Sequence, residues 1–271
     1  MRIGSFITPE RVDRLAAAGG EYAELFVTRT VMAGDRDDFG SFATAAAAWQ
    51  TPPRAFSGLI PPELKLCGPD ADPRLQDAYL DELFWRIEKI APGGGVMATV
   101  GSAGARDVPE GFSPDRARDQ IADFLARAGL RARQTGVTLN LEHLHQGESN
   151  IFNTLSECGR FVRERGLEDV HLVADLYHLM MQGEPLSAIE ENAQLIVHAH
   201  VADRERDAPG TGDYPFTEFF AVLRRAGFDG DCSIEAFWSD FDAHVDLAVR
   251  TVRAAAEAAG YAPESAPDPH A

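Results

Sequence analysis

Cysteine is scarce in this chain of 271 residues, and the three present, Cys67, Cys158 and Cys232, are odd in number and widely scattered. That excludes a disulfide framework and a thiolate metal cluster. Cys158, on the apolar face of a helix, and Cys232, in a strand, read as small core hydrophobes. Long hydrophobic runs are missing as well: none reaches the roughly 18 residues a membrane helix needs. Positive charge is in deficit, 25 Lys and Arg against 43 Asp and Glu, for a formal net charge of −18. Such a surface opposes non-specific nucleic-acid binding and favours neutral or metal-chelated substrates over polyanions. The opening M-R-I-G-S-F has no apolar signal core or cleavage site, so the expected location is cytoplasmic. No histidine precedes His143.

What the chain does have is a steady alternation of strand-like and helix-like segments. Strands are expected at Met1–Phe6, Tyr22–Val27, in A-F-S-G-L-I from Ala55, and at Val96–Val100. Four more close T-L-N-L-E, H-L-V-A-D, I-V-H-A-H and C-S-I-E. Helices are expected from Pro9 to about Gly19, from Arg74 to Ala91, and from Pro114, capped by Ser113, to Gly136. Others fall near Asn153–Arg165, Pro185–Gln194, Thr217–Ala226 and Asp240–Ala259. In the second of these, Leu75, Tyr79, Leu80, Leu83, Phe84, Ile87 and Ile90 recur at helical spacing. Gly93-Gly94-Gly95 come before a strand, where a tight connection needs them, and not after one, where a phosphate cradle would. Eight units of about 34 residues make an α/β chain of the (β/α)8 TIM-barrel class. The expectation is one domain over residues 1–260 and a Pro-rich, disordered tail over 261–271. A doubly wound open sheet is the alternative, but it does not bring four consecutive strand ends round one point.

Those strand ends carry Glu142, Asp175, His200 and Glu235, separated by 33, 25 and 35 residues. Each interval is about one strand–helix unit, so a closed barrel would gather the four at its C-terminal mouth. Alternation along each strand puts Asn140 with Glu142, Val173 with Asp175, His198 with His200 and Ser233 with Glu235 on the inward face. A single buried strand-end acid is usually a salt-bridge or helix-cap partner. Three carboxylates and an imidazole together suit one divalent ion, Mn²⁺, Co²⁺ or Mg²⁺, with Zn²⁺ as a further option. Their formal charge of about −3 calls for a cation or altered protonation.

Glu148 is a pocket acid or a helix-approach residue. His178 orients substrate or is a loop histidine satisfied by backbone. Arg206 can bind hydroxyl or phosphate oxygens; Arg204 competes with it, and an exposed loop arginine is the default for each. His198 reads as a barrel-interior histidine. The glycines of P-G-T-G-D-Y-P-F, residues 209–216, admit a ligand to the backbone or simply turn the chain.

The strings E-H-L-H-Q-G-E-S-N, D-L-Y-H, H-A-H-V-A-D, P-G-T-G-D-Y-P-F and S-I-E-A-F-W, within about residues 138–238, resemble the xylose isomerase-like TIM barrels of the sugar phosphate isomerase/epimerase family. Within it they are similar to ketose 3-epimerases and hydroxypyruvate isomerase. The resemblance implies that Glu142, Asp175, His200 and Glu235 ligate the metal and that Glu142 and Glu235 double as the acid/base pair. It also implies substrate contacts for Glu148, His178 and Arg206. His145 stands where relatives often carry a different side chain, at a place that can touch substrate.

The expected function is a metal-dependent isomerase or epimerase of a ketose or keto-sugar, phosphorylated or free, working by proton transfer through an enediolate. A lyase or dehydratase using the same enediolate is the alternative. So is hydroxypyruvate isomerase, in which an amide residue occupies the place of His200. The trinuclear zinc nucleases of related barrels need further histidines that the first half lacks. A non-catalytic sugar-binding role is opposed by the two acid/base glutamates. The expected partner is a small sugar, with neither nucleic acid nor membrane, and a homo-oligomer is left open.

Overall fold

The computed structural model describes residues 1–262. Its eight strands are β1 (Ile3–Ile7), β2 (Tyr22–Phe26), β3 (Pro53–Ser57), β4 (Val96–Val100), β5 (Val137–Glu142), β6 (Val170–Asp175), β7 (Ile196–Val201) and β8 (Asp231–Ile234). Each pairs in parallel with the next, and β8 pairs with β1, so the sheet is a closed single-domain barrel. The third strand lies two to three residues earlier than its apolar pattern suggests. Gly58, at φ 59°, ends it, and a Cβ there would run into the Phe26 ring.

The helices are α1 (Val12–Ala17), α2 (Phe39–Ala47), α3 (Pro73–Ile90), α4 (Ala103–Arg106), α5 (Pro114–Gln134), α6 (Leu155–Glu164), α7 (Leu176–Gln182), α8 (Ser187–Glu191), α9 (Phe216–Arg225) and α10 (Phe241–Ala258). Ser113 caps α5 as its sequence predicts, its Oγ accepting from Arg116 N. Two helices depart from the sequence reading. The alanine-rich α2 has no counterpart in the sequence reading: it buries only Phe39, Ala43 and Ala46 and shows little apolar stripe. The helix expected at Pro185–Gln194 is reduced to the five residues of α8, and α7 forms earlier, directly on the end of β6.

The outward strand residues Leu139, Leu141, Leu172, Ala174, Ala199 and Ile234 are buried under the helices. From the helix side, Ile121, Phe124, Leu125 and Ala128 of α5 meet them. Each such large side chain contributes about 1.5–3 kcal/mol by leaving water. The inward face is unusually polar. Glu24, Thr99, Asn140, His198, His200 and Ser233 are buried there, and Tyr22 and Ser233 share a hydrogen bond of 2.8 Å across the β8–β1–β2 seam. The three cysteines are free and buried.

Tyr261, the first residue of the expected tail, is buried and donates its hydroxyl to the Phe228 carbonyl at 3.1 Å. Residues 263–271 lie outside the described residues. No helix among the described residues is long and apolar enough to cross a membrane.

Candidate active site

Barrel closure gathers the four strand-end residues. Glu142 and Asp175 are the last residues of β5 and β6, His200 is the penultimate residue of β7, and Glu235 follows β8. One ligand atom from each lies within 4.8 Å of all the others. Asp175 has two duties. As the cap of α7, its Oδ1 accepts from His178 N at 2.9 Å, which fixes the carboxylate. Its Oδ2 lies 3.9 Å from His200 Nδ1.

His200 is the hub. Its Nδ1 lies 2.7 Å from Glu142 Oε1 and 3.0 Å from Glu235 Oε2. Its Nε2 lies 3.1 Å from Oε1 of Glu24, a fully buried carboxylate on β2. Glu24 also receives the Ser57 hydroxyl, and its Oε2 lies 3.3 Å from His198 Nε2. With Nε2 held by Glu24, Nδ1 is the nitrogen turned to the three carboxylates. A ligating imidazole oriented through its other nitrogen by a carboxylate is a common arrangement in metal centres.

The electrostatics follow from crowding acids in a dry site. Burial and the nearby Glu235 push Glu142 up to about 8. Burial likewise raises Asp175, with Glu235 adding to it. Burial would raise Glu235 too, but Arg206 and His200 outweigh it and hold that carboxyl below its usual range. Burial disfavours the His200 cation, yet Glu24, Glu235 and Glu142 together hold its pKa well above normal. Glu24, opposed by burial, is held well below normal chiefly by His200. Three carboxylates and one imidazole converge on one point, so the donor set fits a hard or borderline divalent ion.

Arg206 lies inside the molecule and Arg204 outside. Arg204 is exposed and pairs with Asp213 at 2.7 Å. Arg206 is buried, donating to Glu235 Oε2 at 2.7 Å and Glu148 Oε1 at 3.1 Å, with His178 Nε2 at 3.0 Å. Glu205 and Arg206 both adopt positive φ, 59° and 58°, a costly conformation for non-glycine residues. Asp203 holds this loop, its carboxylate accepting from the backbone of Arg204, Gly210, Gly212 and Tyr214. The glycines of the P-G-T-G string therefore wrap Asp203, and a Cβ on Gly212 would strike its carboxylate.

His178 is not a loop histidine. It sits in the first turn of α7, fully buried, and its pKa is well below normal because of burial and Arg206. His178 Nε2 lies 3.0 Å from Arg206 Nη1, and its Nδ1 accepts from His145 N at 3.3 Å and lies 3.0 Å from His145 Nδ1. Above the quartet opens a cavity of about 520 Å³, lined by Glu142, Glu148, Arg206 and Glu235 but not by His145 or His178. His178 lies behind the lining against Arg206, and His145 stands beside His178 and 3.8 Å from Glu148. Asp175 and His200 lie beneath the cavity floor. Glu24 is absent from the sequence reading. Its only signal is a lone acid in the apolar run Y-A-E-L-F.

Residues 12–262 match the sequence profile of the xylose isomerase-like TIM barrels. The chain belongs to that family. Curated relatives include a 3-dehydro-D-guloside 4-epimerase of Escherichia coli K12, 32% identical over 119 residues, which are 44% of this chain and 45% of that protein. An L-ribulose 3-epimerase of Mesorhizobium japonicum is 32% identical over 117 residues, 43% of this chain and 39% of its own length. The chain thus spans less than half the length of these curated relatives. Among solved structures, D-psicose 3-epimerase from Clostridium cellulolyticum H10, crystallised with D-tagatose, superposes with a TM-score of 0.81 at 17% identity. That superposition covers 94% of this chain and 99% of the other.

Proposed function

We propose that the protein is an isomerase of keto-sugars, an epimerase or aldose–ketose isomerase, that uses one divalent ion. The observation that carries this reading is the convergence of Glu142, Asp175, His200 and Glu235 on one point at the mouth of the barrel. The relatives support it, since those named above are epimerases of keto-sugars or keto-glycosides. The four residues would hold the ion, His200 through Nδ1. When bound, the ion would supply a Lewis acid beside the substrate carbonyl and the neighbouring hydroxyl. Mn²⁺, Co²⁺ and Mg²⁺ suit this oxygen-rich set best.

The remaining work belongs to the chain's own side chains. Glu142 and Glu235 line the same cavity from β5 and β8. One glutamate removes the proton α to the carbonyl and the other returns one, to the same carbon in epimerisation or to the adjacent carbon in isomerisation. Arg206 keeps Glu235 ionised and therefore basic. His178 and His145 steady Arg206 and Glu148 from behind, and Glu148 faces substrate hydroxyls. The buried free thiols fit a reducing, cytoplasmic setting.

The test is incubation of Mn²⁺-loaded protein with a panel of ketoses in D₂O, read by NMR. Deuterium at the α-carbon with a stereoisomeric or isomeric product supports the reading. An unsaturated or cleaved product indicates a lyase instead. No exchange across the panel overturns isomerisation.

A further inference from the structure

We infer that the substrate is a keto-sugar bearing one anionic group, phosphate or carboxylate, and that Arg11 and Arg29 receive that group at the β1–β2 side of the cavity. The inference takes the sugar end from the isomerase reading and adds a second recognition point to it. The cavity is lined on that side by Thr8, Arg11, Thr28 and Arg29, from the segments that follow β1 and β2. Three cations line it in all. Arg206 is committed to Glu235, Glu148 and His178.

Arg11 and Arg29 are not so committed. Neither side chain makes a hydrogen bond or ion pair with a described residue; each is laid on an aromatic ring instead. The Arg11 guanidinium carbon is 4.7 Å from the centre of the Phe241 ring, and that of Arg29 is 4.7 Å from the centre of Phe26. Stacking holds the flat face of a guanidinium and leaves its N–H edge available. Arg14 and Arg127 by contrast pair with carboxylates, Asp246 and Asp77, while Arg116 and Arg224 are also laid on rings, those of Phe112 and Tyr261, away from this cavity. Arg11 is half-buried and Arg29 exposed, so a ligand can reach both. Glu10, the acid beside Arg11, is exposed and engaged first by its own backbone and Thr8, with a lesser electrostatic attraction to Arg11.

The N–H edge of a guanidinium held on a ring suits a phosphate or carboxylate oxygen. The overall charge of −18 repels polyanions at a distance. Within a Debye length of about 8–10 Å, local cations set the potential for a single anionic group.

The test is calorimetric binding of three unreactive polyols, sorbitol, sorbitol 6-phosphate and gluconate, to Mn²⁺-loaded protein. At least one anionic ligand should bind roughly tenfold or more tightly than sorbitol. Which one does so separates phosphate from carboxylate. The double variant Arg11→Ala/Arg29→Ala should erase that preference and leave sorbitol affinity unchanged, and Arg29→Lys should retain part of it. Equal binding of all three, or a preference that survives the double variant, overturns the subsite. The two readings fail separately. Exchange on neutral ketoses without anion preference sinks only the subsite. Anion preference lost in the double variant, with no exchange on any sugar, sinks only the isomerase.

Discussion

Oε1 of Glu24 lies 3.1 Å from Nε2 of His200, although the two residues are 176 positions apart in the chain. The contact decides which nitrogen of His200 faces Glu142, Asp175 and Glu235. Glu24→Gln keeps the size of the side chain and removes its charge, so Mn²⁺ affinity should fall about 10–100-fold. Titration by electron paramagnetic resonance measures it. Unchanged affinity in a variant that melts like the native protein would show that Glu24 does not orient the ligand.

Arg206 is the main partner that holds Glu235 ionised against the pull of burial. In Arg206→Gln the Glu235 pKa should rise. The acidic limb of kcat/KM should then move to higher pH, because the base is protonated sooner as pH falls. A pH–rate profile of α-proton exchange reads this shift. A lowered rate with an unmoved limb would assign Arg206 to substrate binding alone.

Gly101, in the loop after β4, has no room for a side chain: a Cβ there would collide with Oε2 of Glu142. Gly101→Ala should displace that carboxylate and cut kcat/KM by roughly 100-fold, the scale of a 1 Å misplacement. Stability, followed by urea unfolding, should change little. Native kcat/KM in this variant would mean that the Glu142 position is not critical.

His143 is buried with no hydrogen-bond partner on either ring nitrogen among the described residues. Burial, and then the charge of Arg106, push its pKa down to about 3 from a normal 6.5. Between those values the unfolded chain binds a proton that the folded chain does not. Folding stability therefore falls as pH drops below 6.5, with the loss complete near 3. Relative to His143→Phe, the native protein should lose about 2 kcal/mol between pH 7 and pH 5. Parallel urea curves at the two pH values would refute the assignment.

The quartet is legible in the sequence because each member closes a strand-like run, so one unit length recurs between them. Arg206, Glu148 and His178 stand in the sequence as open alternatives that only the resemblance tips toward substrate, since a loop arginine and a surface acid look alike before a fold packs them. Glu24 is not legible at all: one acid in an apolar strand has no partner until β2 and β7 face each other across the interior. The α7 helix is not legible because Asp175 reads as a strand end, while its Oδ1 also caps the helix that follows. The P-G-T-G glycines point to a close approach, as their composition suggests, but what approaches is the Asp203 carboxylate.

The reach of Glu24 from β2 to His200 on β7 makes the first quarter of the chain a silent party to chemistry housed in the second half. All four proposed ligands lie beyond residue 140, yet the tautomer of one is chosen by residue 24. Bound manganese would therefore serve as a gauge of barrel closure. A chain whose opening strands had come loose would still own every ligand, but its imidazole would be free to turn, and its grip on the ion would weaken before the four residues had separated.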